Sequence, residues 1–351
     1  MICWASFTQN KSIMTTRLLI TLDYELFFGQ RVGTVKHCML RPIEALMEVL
    51  DRHRAKLTLF VDAGYLHQLR LQGAGVEGLA EDYRQIREQL QKLMEAGHDA
   101  QLHIHPHWEE SRFEAGEWRI DTRRYRLHDF APKQRERIVA DYKQALIDIV
   151  GDRIFAYRAG GWCLQPFELI GETLLEHGIW LDSTVYAMGY SPDNLRGFDF
   201  RGAPEKPYWR FDKDPLREEG AGRFLELPIT TCKVSPLFYW KLALQKKLAR
   251  GAFKAFGDGR AMVANAAYYR QLLTRSSYSV ASIDGAKAGL LEQAYRQLER
   301  SSEPSVFNVM GHPKALSPYS LERLDRFLER HPELEPVTLQ AFRDLQPRGL
   351  A

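Results

Sequence analysis

Three histidines, His103, His105 and His107, lie within five residues of one another, directly after a short apolar segment. Imidazole nitrogens bind divalent metal ions, and a histidine-rich tract of this kind favours a metal site. We expect His103 and His107 to converge on one ion, because residues four apart share a face of a helical turn. His105 is expected to alternate away while the chain stays extended. The alternative is a histidine-rich surface turn that binds no ion.

A metal site that performs chemistry also needs a carboxylate ligand and an open coordination position. Asp23 and Glu25 follow another apolar segment and lie two residues apart, which places both on one face of an extended chain. Two like charges so close repel unless one of them binds a cation. The pair therefore predicts one carboxylate that binds a metal and one that accepts a proton from water. Taken alone, the pair could also simply end a strand.

The elements that position these residues follow a regular pattern. Short apolar segments alternate with amphipathic helical segments over most of the chain, which is typical of a parallel sheet with helical crossovers. About seven β/α units fit this alternation. The predicted strands lie at residues 18–22, 57–61, 99–102, 154–157, 179–181, 224–227 and 305–309, and the predicted helices at 41–54, 81–96, 132–149, 166–177, 261–275, 286–300 and 318–330.

Candidate functional side chains follow most of the predicted strands. Barrel enzymes assemble their active sites from the loops at this carboxyl-terminal end of the sheet, so we expect these side chains to meet there. They are Asp23, Glu25, Asp62, His103, His107, Arg158, Asp182 and His312.

Two long segments interrupt the alternation, and we predict insertions at about residues 109–131 and 189–260. Polar and aromatic segments of this length often cover binding clefts. Because sugar rings stack on aromatic side chains, we predict substrate contacts from Trp108 and Trp209, with ordinary loop packing as the alternative.

Residues 235–256 form a candidate basic amphipathic helix. Such a helix could contact a membrane surface or a lipid-linked substrate. We favour the alternative, an ordinary helix that packs four apolar side chains on the barrel, because apolar stripes of this kind are common. These side chains are Leu237, Leu244, Leu248 and Phe253.

Composition narrows the possible classes of protein. A chain of 351 residues with 45% hydrophobic and 26% charged residues is close to the globular average, and a net charge of +3 is too small to predict nucleic-acid binding. Four scattered cysteines form no metal-binding or disulfide pattern, which fits a reducing compartment. The first residues lack the features of a signal peptide, so we expect a cytoplasmic protein with a disordered leader at residues 1–16.

The residues above resemble the polysaccharide deacetylases, also called carbohydrate esterase family 4 or the nodulation-protein-B homology domain. The resemblance covers roughly residues 17–345 and consists of five motifs in the expected order. They are Thr21–Glu25, Gly97–Asp99 followed by His103 and His107, Tyr157–Trp162, Leu181–Ser183 and Val309–Pro313. The resemblance implies a deformed (β/α)7 TIM-like barrel, formed by residues 17–351 as a single domain.

The resemblance also implies roles for individual residues. Asp23 corresponds to the catalytic base and Arg158 to the arginine that aims it. His312 corresponds to the general acid, and Asp182 is a candidate for the carboxylate that tunes it. Tyr24 stands where the family has its second aspartate, so we assign the metal ligand to Glu25, together with His103 and His107.

These assignments predict a hydrolytic mechanism. Zn²⁺ is the expected ion, although Co²⁺, Fe²⁺ and Ni²⁺ also suit this ligand set. Asp23 would deprotonate the metal-activated water, and backbone near Gly161 and Trp162 would stabilise the oxyanion. His312 would then protonate the departing amine. The expected substrate is an N-acetylated saccharide, nucleotide-linked or lipid-linked, in lipopolysaccharide or exopolysaccharide biosynthesis.

Two other functions stay open. The pair His103 and His105 also resembles the metal-binding pair of barrel amidohydrolases that act on cyclic amides. A catalytically silent carbohydrate-binding barrel is the other alternative, suggested by Tyr24 at the position of a ligand.

Overall fold

The computed structural model of the protein describes residues 15–193, 197–248, 251–261, 266–300 and 305–347. Its centre is a sheet with seven parallel strands that are almost entirely buried. They are β1 (Arg17–Tyr24), β2 (Thr58–Asp62), β3 (Asp99–Ile104), β4 (Ala156–Ala159), β5 (Leu181–Asp182), β6 (Phe224–Glu226) and β7 (Val306–Gly311). Each overlaps a predicted strand. The predicted leader falls largely on residues 1–14, outside the described residues.

The strands follow the order β7–β1–β2–β3–β4–β5–β6 across the sheet, and every neighbouring pair is parallel. Buried parallel strands are apolar on both faces, which is why their sequences read as continuous apolar runs. An antiparallel strand, Trp209–Phe211, extends the sheet beside β6. A short strand, Glu335–Val337, pairs with the start of β1.

The sheet curls until β6 approaches β7, and a connecting segment closes the seam. The backbone N–H of Thr230 donates to the carbonyl oxygen of Asn308 at 2.9 Å, and its hydroxyl accepts from the Asn308 N–H at 3.0 Å. The Asn308 amide also donates to the carbonyl oxygen of Pro228 at 3.1 Å. This closure confirms the predicted deformed (β/α)7 barrel.

A hydrogen-bond network centred on Arg158 fills the barrel interior. Its Nε donates to the carbonyl oxygen of Ser183 at 2.7 Å, and its Nη2 donates to the Thr21 hydroxyl at 2.9 Å. The Ser183 hydroxyl donates to the carbonyl oxygen of Leu227 at 2.8 Å and accepts from the Asn308 amide at 3.2 Å. The network therefore connects strands on both sides of the seam.

Helices surround the barrel. They are α1 (Arg41–Arg52), α2 (Ala63–Gln72), α3 (Glu77–Glu95), α4 (Pro132–Val150), α5 (Gly171–Glu176), α6 (Pro236–Leu248), α7 (Ala266–Thr274), α8 (Leu291–Leu298) and α9 (Pro318–Arg330). Helix α2 was not predicted. It begins where the Asp62 carboxylate accepts the Tyr65 N–H at 3.4 Å, an N-cap interaction.

The predicted insertions contain short strands. Arg112–Glu114 and Glu117–Arg119 form a hairpin. Thr231–Val234 pairs with Ser277–Val280, and α6 and α7 pack against each other beyond this ribbon. None of the helices within the described ranges is long and apolar enough to cross a membrane.

The apolar stripe of α6 faces solvent, which corrects the expectation that it packs on the barrel. Leu237 is 77% exposed, Trp240 57% and Leu244 60%. Trp240 Nε1 donates to the carbonyl oxygen of Leu273 on α7 at 3.0 Å, so the helix is held from the side of α7. The Leu248 side chain lies outside the described part of the chain. Phe253 is half-buried, with its ring centre 4.3 Å from that of Tyr319.

Candidate metal centre and active site

A cavity of about 240 Å³ opens at the carboxyl ends of the strands. This is where a parallel barrel is expected to hold its site, because the loops that follow the strands converge there. Carboxylates, imidazoles, two cations and aromatic rings line it. The lining includes Asp23, Glu25, His103, His105, His312, Arg158, Lys314, Phe27, Phe28, Tyr125, Gly161 and Trp162.

Glu25, His103 and His105 form a candidate metal centre. Their ligand atoms lie within 4.8 Å of one another, and all three side chains are buried. Glu25 Oε2 is 2.6 Å from His105 Nε2 and 3.3 Å from His103 Nε2. Among the residues that the structure describes, no other three such side chains converge in this way. Two imidazoles and one carboxylate are a ligand set of hydrolytic zinc sites.

His107, predicted as a ligand, does not belong to this group. The chain stays extended through His105, which has φ −112° and ψ 93°, and a 3-10 turn begins only at Pro106. Residues two apart share a face of an extended chain, so His103 and His105 point the same way. The His107 ring is stacked on Tyr125, with ring centres 5.6 Å apart and planes at 9°. The structure therefore pairs His103 with His105.

The environment of His105 fits a metal ion. The ring is buried, and neither of its nitrogens makes a hydrogen bond of good geometry, although Nε2 lies 2.6 Å from Glu25 Oε2. Buried polar atoms without partners are costly, and coordination of a cation by Nε2 would remove that cost. Burial lowers the pKa of His105 to about 4, so the ring is neutral and its lone pair is available.

The other two ligands are held in suitable orientations. His103 Nδ1 donates to the carbonyl oxygen of Arg158 at 2.9 Å, which leaves Nε2 to face the shared point. Burial lowers the pKa of His103, but the Asp23 and Glu25 carboxylates outweigh it and raise the value to about 8. Burial opposes ionisation of Glu25, yet Lys314 and the imidazoles hold its pKa well below the usual range. Metal binding near neutral pH would therefore release the His103 proton.

Asp23 lies beside this group with its own cation. Its Oδ1 accepts from Arg158 Nη1 at 2.8 Å, and its Oδ2 is 3.6 Å from His312 Nε2. Burial raises the pKa of Asp23, but the nearby positive charges, Arg158 first and then His103, outweigh this effect. The pKa is therefore lowered, and the carboxylate is charged. Tyr24 points to the opposite side of β1, where its hydroxyl donates to Gln89 at 2.8 Å.

His312 follows β7 and is oriented by a carboxylate that the sequence analysis missed. Its Nδ1 donates to Asp284 Oδ2 at 2.7 Å, and its backbone N–H donates to Asp284 Oδ1 at 2.7 Å. Burial lowers the pKa of His312, but Asp284 and the nearby Asp23 outweigh this and raise it. His312 Nε2 therefore carries or releases a proton at the cavity, 3.6 Å from Asp23 Oδ2.

Asp182, predicted as the tuning carboxylate, is not in contact with His312. Both of its oxygens accept from Thr184, from the hydroxyl at 2.8 Å and from the backbone N–H at 2.9 Å. It is buried beside Glu226, its partner in the β5–β6 register. Burial and this like charge raise the pKa of Glu226 well above the usual range, and burial raises that of Asp182. The carboxylate that His312 contacts is Asp284 instead.

Of the four candidate substrate-binding residues, two line the cavity and two do not. Gly161 and Trp162 line the cavity, and both have positive φ, +61° and +60°. A tryptophan in this region is strained, as side chains at functional sites often are. Trp108 is buried below the cavity and donates to Asp62 at 2.7 Å. Trp209 is buried in its strand, donates to the carbonyl oxygen of Pro215 and does not reach the cavity.

Three residues of the site were not assigned to it from the sequence. His105 was expected to alternate away while the chain stays extended, and this was wrong: residues two apart share a face of an extended chain, so His105 points the same way as His103. Asp284 follows a segment that bridges to β7 through Ser282 and Met310, without the periodicity of a strand of its own. Lys314 comes two residues after His312, and only its place in the same turn marks it.

No protein-family model matches the sequence, and no curated protein matches it. Some solved structures have a partly similar fold. One, from Mycobacterium smegmatis, is assigned as a polysaccharide deacetylase; it has 14% identity and a TM-score of 0.46, over 98% of this chain and 92% of that one.

Two further solved structures span most of this chain. The Puue allantoinase has 13% identity and a TM-score of 0.48, over 95% of this chain and 91% of that one. The polysaccharide deacetylase Bc1974 from Bacillus cereus has 12% identity and a TM-score of 0.39, over 92% of this chain and 91% of that one. None of these TM-scores reaches 0.5.

Proposed function

We propose that the protein is a metal-dependent hydrolase that removes N-acetyl groups from an amino sugar in a glycan or glycan precursor. The observation that carries the proposal is the placement of three groups around one small cavity. These are the metal centre of Glu25, His103 and His105, the charged Asp23, and His312. Zn²⁺ is the ion that we expect, and Co²⁺, Fe²⁺ or Ni²⁺ would also suit these ligands.

A bound divalent ion polarises an amide carbonyl and lowers the pKa of a water molecule. The protein supplies the proton transfers. Asp23, kept ionised and aimed by Arg158, accepts the proton of the attacking water. His312, oriented by Asp284, donates a proton to the departing amine, and its raised pKa keeps that proton available near neutral pH. The products are acetate and a free amino sugar.

The cavity favours a single sugar unit as the group that enters. Its volume of about 240 Å³ is below the roughly 300–1,000 Å³ of pockets for drug-sized ligands. Tyr125 and Trp162 line it with aromatic surface suited to a sugar ring. We propose an N-acetylated saccharide, nucleotide-linked or lipid-linked, of the kind used in lipopolysaccharide or exopolysaccharide assembly.

The test combines metal analysis with acetate release from N-acetylated amino sugars. We expect His105→Ala to lose the ion and His107→Ala, its matched control, to keep it. Asp23→Asn should keep the ion and lose about 10²–10⁴-fold in turnover, as expected for a general base. A His105→Ala protein that retains the ion of the parent would contradict the ligand assignment. A parent protein without metal that is inactive on every N-acetylated saccharide would favour the silent carbohydrate-binding barrel.

A second candidate function is hydrolysis of a small cyclic amide. The specific observation is that His103 and His105, rather than His103 and His107, face Glu25, since a His-x-His pair is the arrangement noted above for barrel amidohydrolases. The small cavity is compatible with such a substrate. Parallel assays of cyclic ureides and N-acetylated amino sugars with the same preparation separate the two functions.

We also propose that α6 contacts an anionic membrane surface, which would suit a lipid-linked substrate. Leu237, Trp240 and Leu244 form an exposed apolar stripe, and Lys241 and Lys247 are exposed on the same helix. Residues 235–256 contain five basic and no acidic side chains. An apolar stripe flanked by lysines is typical of helices that lie in the interface of a bilayer.

Vesicle flotation tests this contact. We expect binding to vesicles that contain phosphatidylglycerol and none to neutral vesicles. Replacing Lys241 and Lys247 by glutamine should weaken binding about 30-fold, because each lysine contributes about 1 kcal/mol at such a surface. Leu71→Glu, a change at an equally exposed leucine on α2, is the control for Leu244→Glu. Equal binding of the two leucine variants would contradict the proposal.

A further inference from the structure

Lys314 contacts the candidate metal centre. It belongs to none of the sequence motifs and has no part in the proposed proton transfers. Its Nζ donates to Glu25 Oε1 at 2.7 Å and to the carbonyl oxygen of Leu26 at 2.5 Å. The side chain is only 10% exposed, and its ammonium lies 5.0 and 5.1 Å from the ring centres of Phe27 and Phe28. Polar and aromatic partners therefore fix the position of a buried cation.

The two oxygens of Glu25 have different surroundings. Oε2 faces His105 at 2.6 Å and His103 at 3.3 Å, whereas Oε1 is bonded to Lys314. A charge-assisted hydrogen bond in a buried site is strong, because water does not compete with it. Only Oε2 is therefore left to face the point that the two imidazoles share.

Glutamate needs such a restraint more than aspartate does. Its side chain has one more rotatable bond, so a carboxylate at this distance from the backbone samples more orientations and loses more entropy when fixed. Asp23 is restrained by Arg158 at 2.8 Å, and Glu25 by Lys314 at 2.7 Å. Each carboxylate of the site thus has its own cation, bonded to one oxygen.

We propose that Lys314 is a positioning residue that confines Glu25 to one-oxygen coordination of the metal ion. The inference rests on the proposed metal centre and adds a role for a residue outside the ligand set. A carboxylate that binds through one oxygen leaves more coordination positions open for water and substrate. The neighbouring positive charge also draws electron density from the carboxylate, which makes the bound ion a stronger Lewis acid.

The test uses the full chain loaded with Co²⁺, whose visible absorption is intense in four- or five-coordinate sites and weak in six-coordinate sites. We expect Lys314→Met to weaken the bands, because Glu25 Oε1 becomes free to coordinate as well. Turnover should fall by about 10–100-fold, the usual effect of removing a residue that orients a ligand. Lys143→Met is the matched control, since Lys143 is a half-buried lysine bonded to the carbonyl oxygen of His177, away from the cavity.

The spectrum decides the outcome independently of the substrate. Lys314→Met protein that binds Co²⁺ with the spectrum of the parent overturns the role of Lys314 and leaves the proposed function standing. A parent chain that binds no metal overturns the metal centre and the role of Lys314 together. If Lys314→Met does not fold, Lys314→Arg keeps the cation: a parent-like spectrum then supports the proposal, and weakened bands overturn it.

Discussion

Replacing Asp284 by asparagine should shift the pH dependence of the reaction. The carboxylate bonds to His312 twice, at Nδ1 and at the backbone N–H, both at 2.7 Å. A hydrogen bond to a charged group contributes about 1.5–3 kcal/mol, so removing this carboxylate should lower the pKa of His312. Because about a fifth of each side chain is exposed, 21% and 20%, we expect the lower end of this range, a loss of about tenfold in kcat/KM on the alkaline side of the profile.

As the proposed general acid, His312 must be protonated to act, so kcat/KM should fall as the pH rises through its pKa. Asp284 raises that pKa and extends activity to higher pH. In Asp284→Asn the alkaline limb of the profile should therefore move to lower pH, while the metal content stays that of the parent.

The assay is acetate release over a pH series, fitted for the alkaline limb of kcat/KM. Asp182→Asn is the comparison, because Asp182 was the carboxylate predicted from the sequence to tune His312 and contacts Thr184 instead. An alkaline limb that stays in place in Asp284→Asn, or that moves only in Asp182→Asn, would contradict a role of Asp284 in holding the His312 proton.

Three further predictions follow from buried groups. Arg158→Met leaves an uncompensated buried carboxylate, so the free energy of unfolding in urea should fall by about 3–5 kcal/mol. The pKa of Glu226 is raised in the folded state, so its ionisation destabilises the protein as the pH rises. The stability of Glu226→Gln, measured by unfolding in urea, should therefore rise relative to that of the parent as the pH increases above the usual pKa of a glutamate. In Gly160→Ala the new Cβ would lie 2.5 Å from His105 Nδ1, so metal affinity should fall, whereas Gly78→Ala on α3 meets nothing within 4 Å and should retain it.

The barrel could be predicted because its strands are buried on both faces. Such strands give continuous apolar segments, and their order along the chain implies parallel pairing. The same reasoning indicated that Asp23, Arg158 and His312 would share one end of the sheet, where the structure places them around the cavity. Residues at the ends of regular strands are thus accessible to sequence reasoning.

The rest of the site depends on local backbone conformation and on segments without a period. The choice between His105 and His107 is decided by where the chain leaves the extended conformation, and Pro106 at the start of the turn was the available signal. Asp284 is brought to His312 by a segment that bridges to β7 outside the seven-stranded order. Neither spacing nor hydrophobic pattern determines such a contact.

The hydrogen-bond network around Arg158 joins the proposed active site to the closure of the barrel. One guanidinium bonds to Asp23, the proposed general base, and also to Ser183, whose hydroxyl connects to both sides of the barrel seam. A change that alters how Arg158 orients Asp23 therefore also disturbs the hydrogen bonds at the seam. A substitution that changes the chemistry through Arg158 must also keep the barrel closed. New specificities should therefore arise more readily in the loops around the cavity than at Arg158.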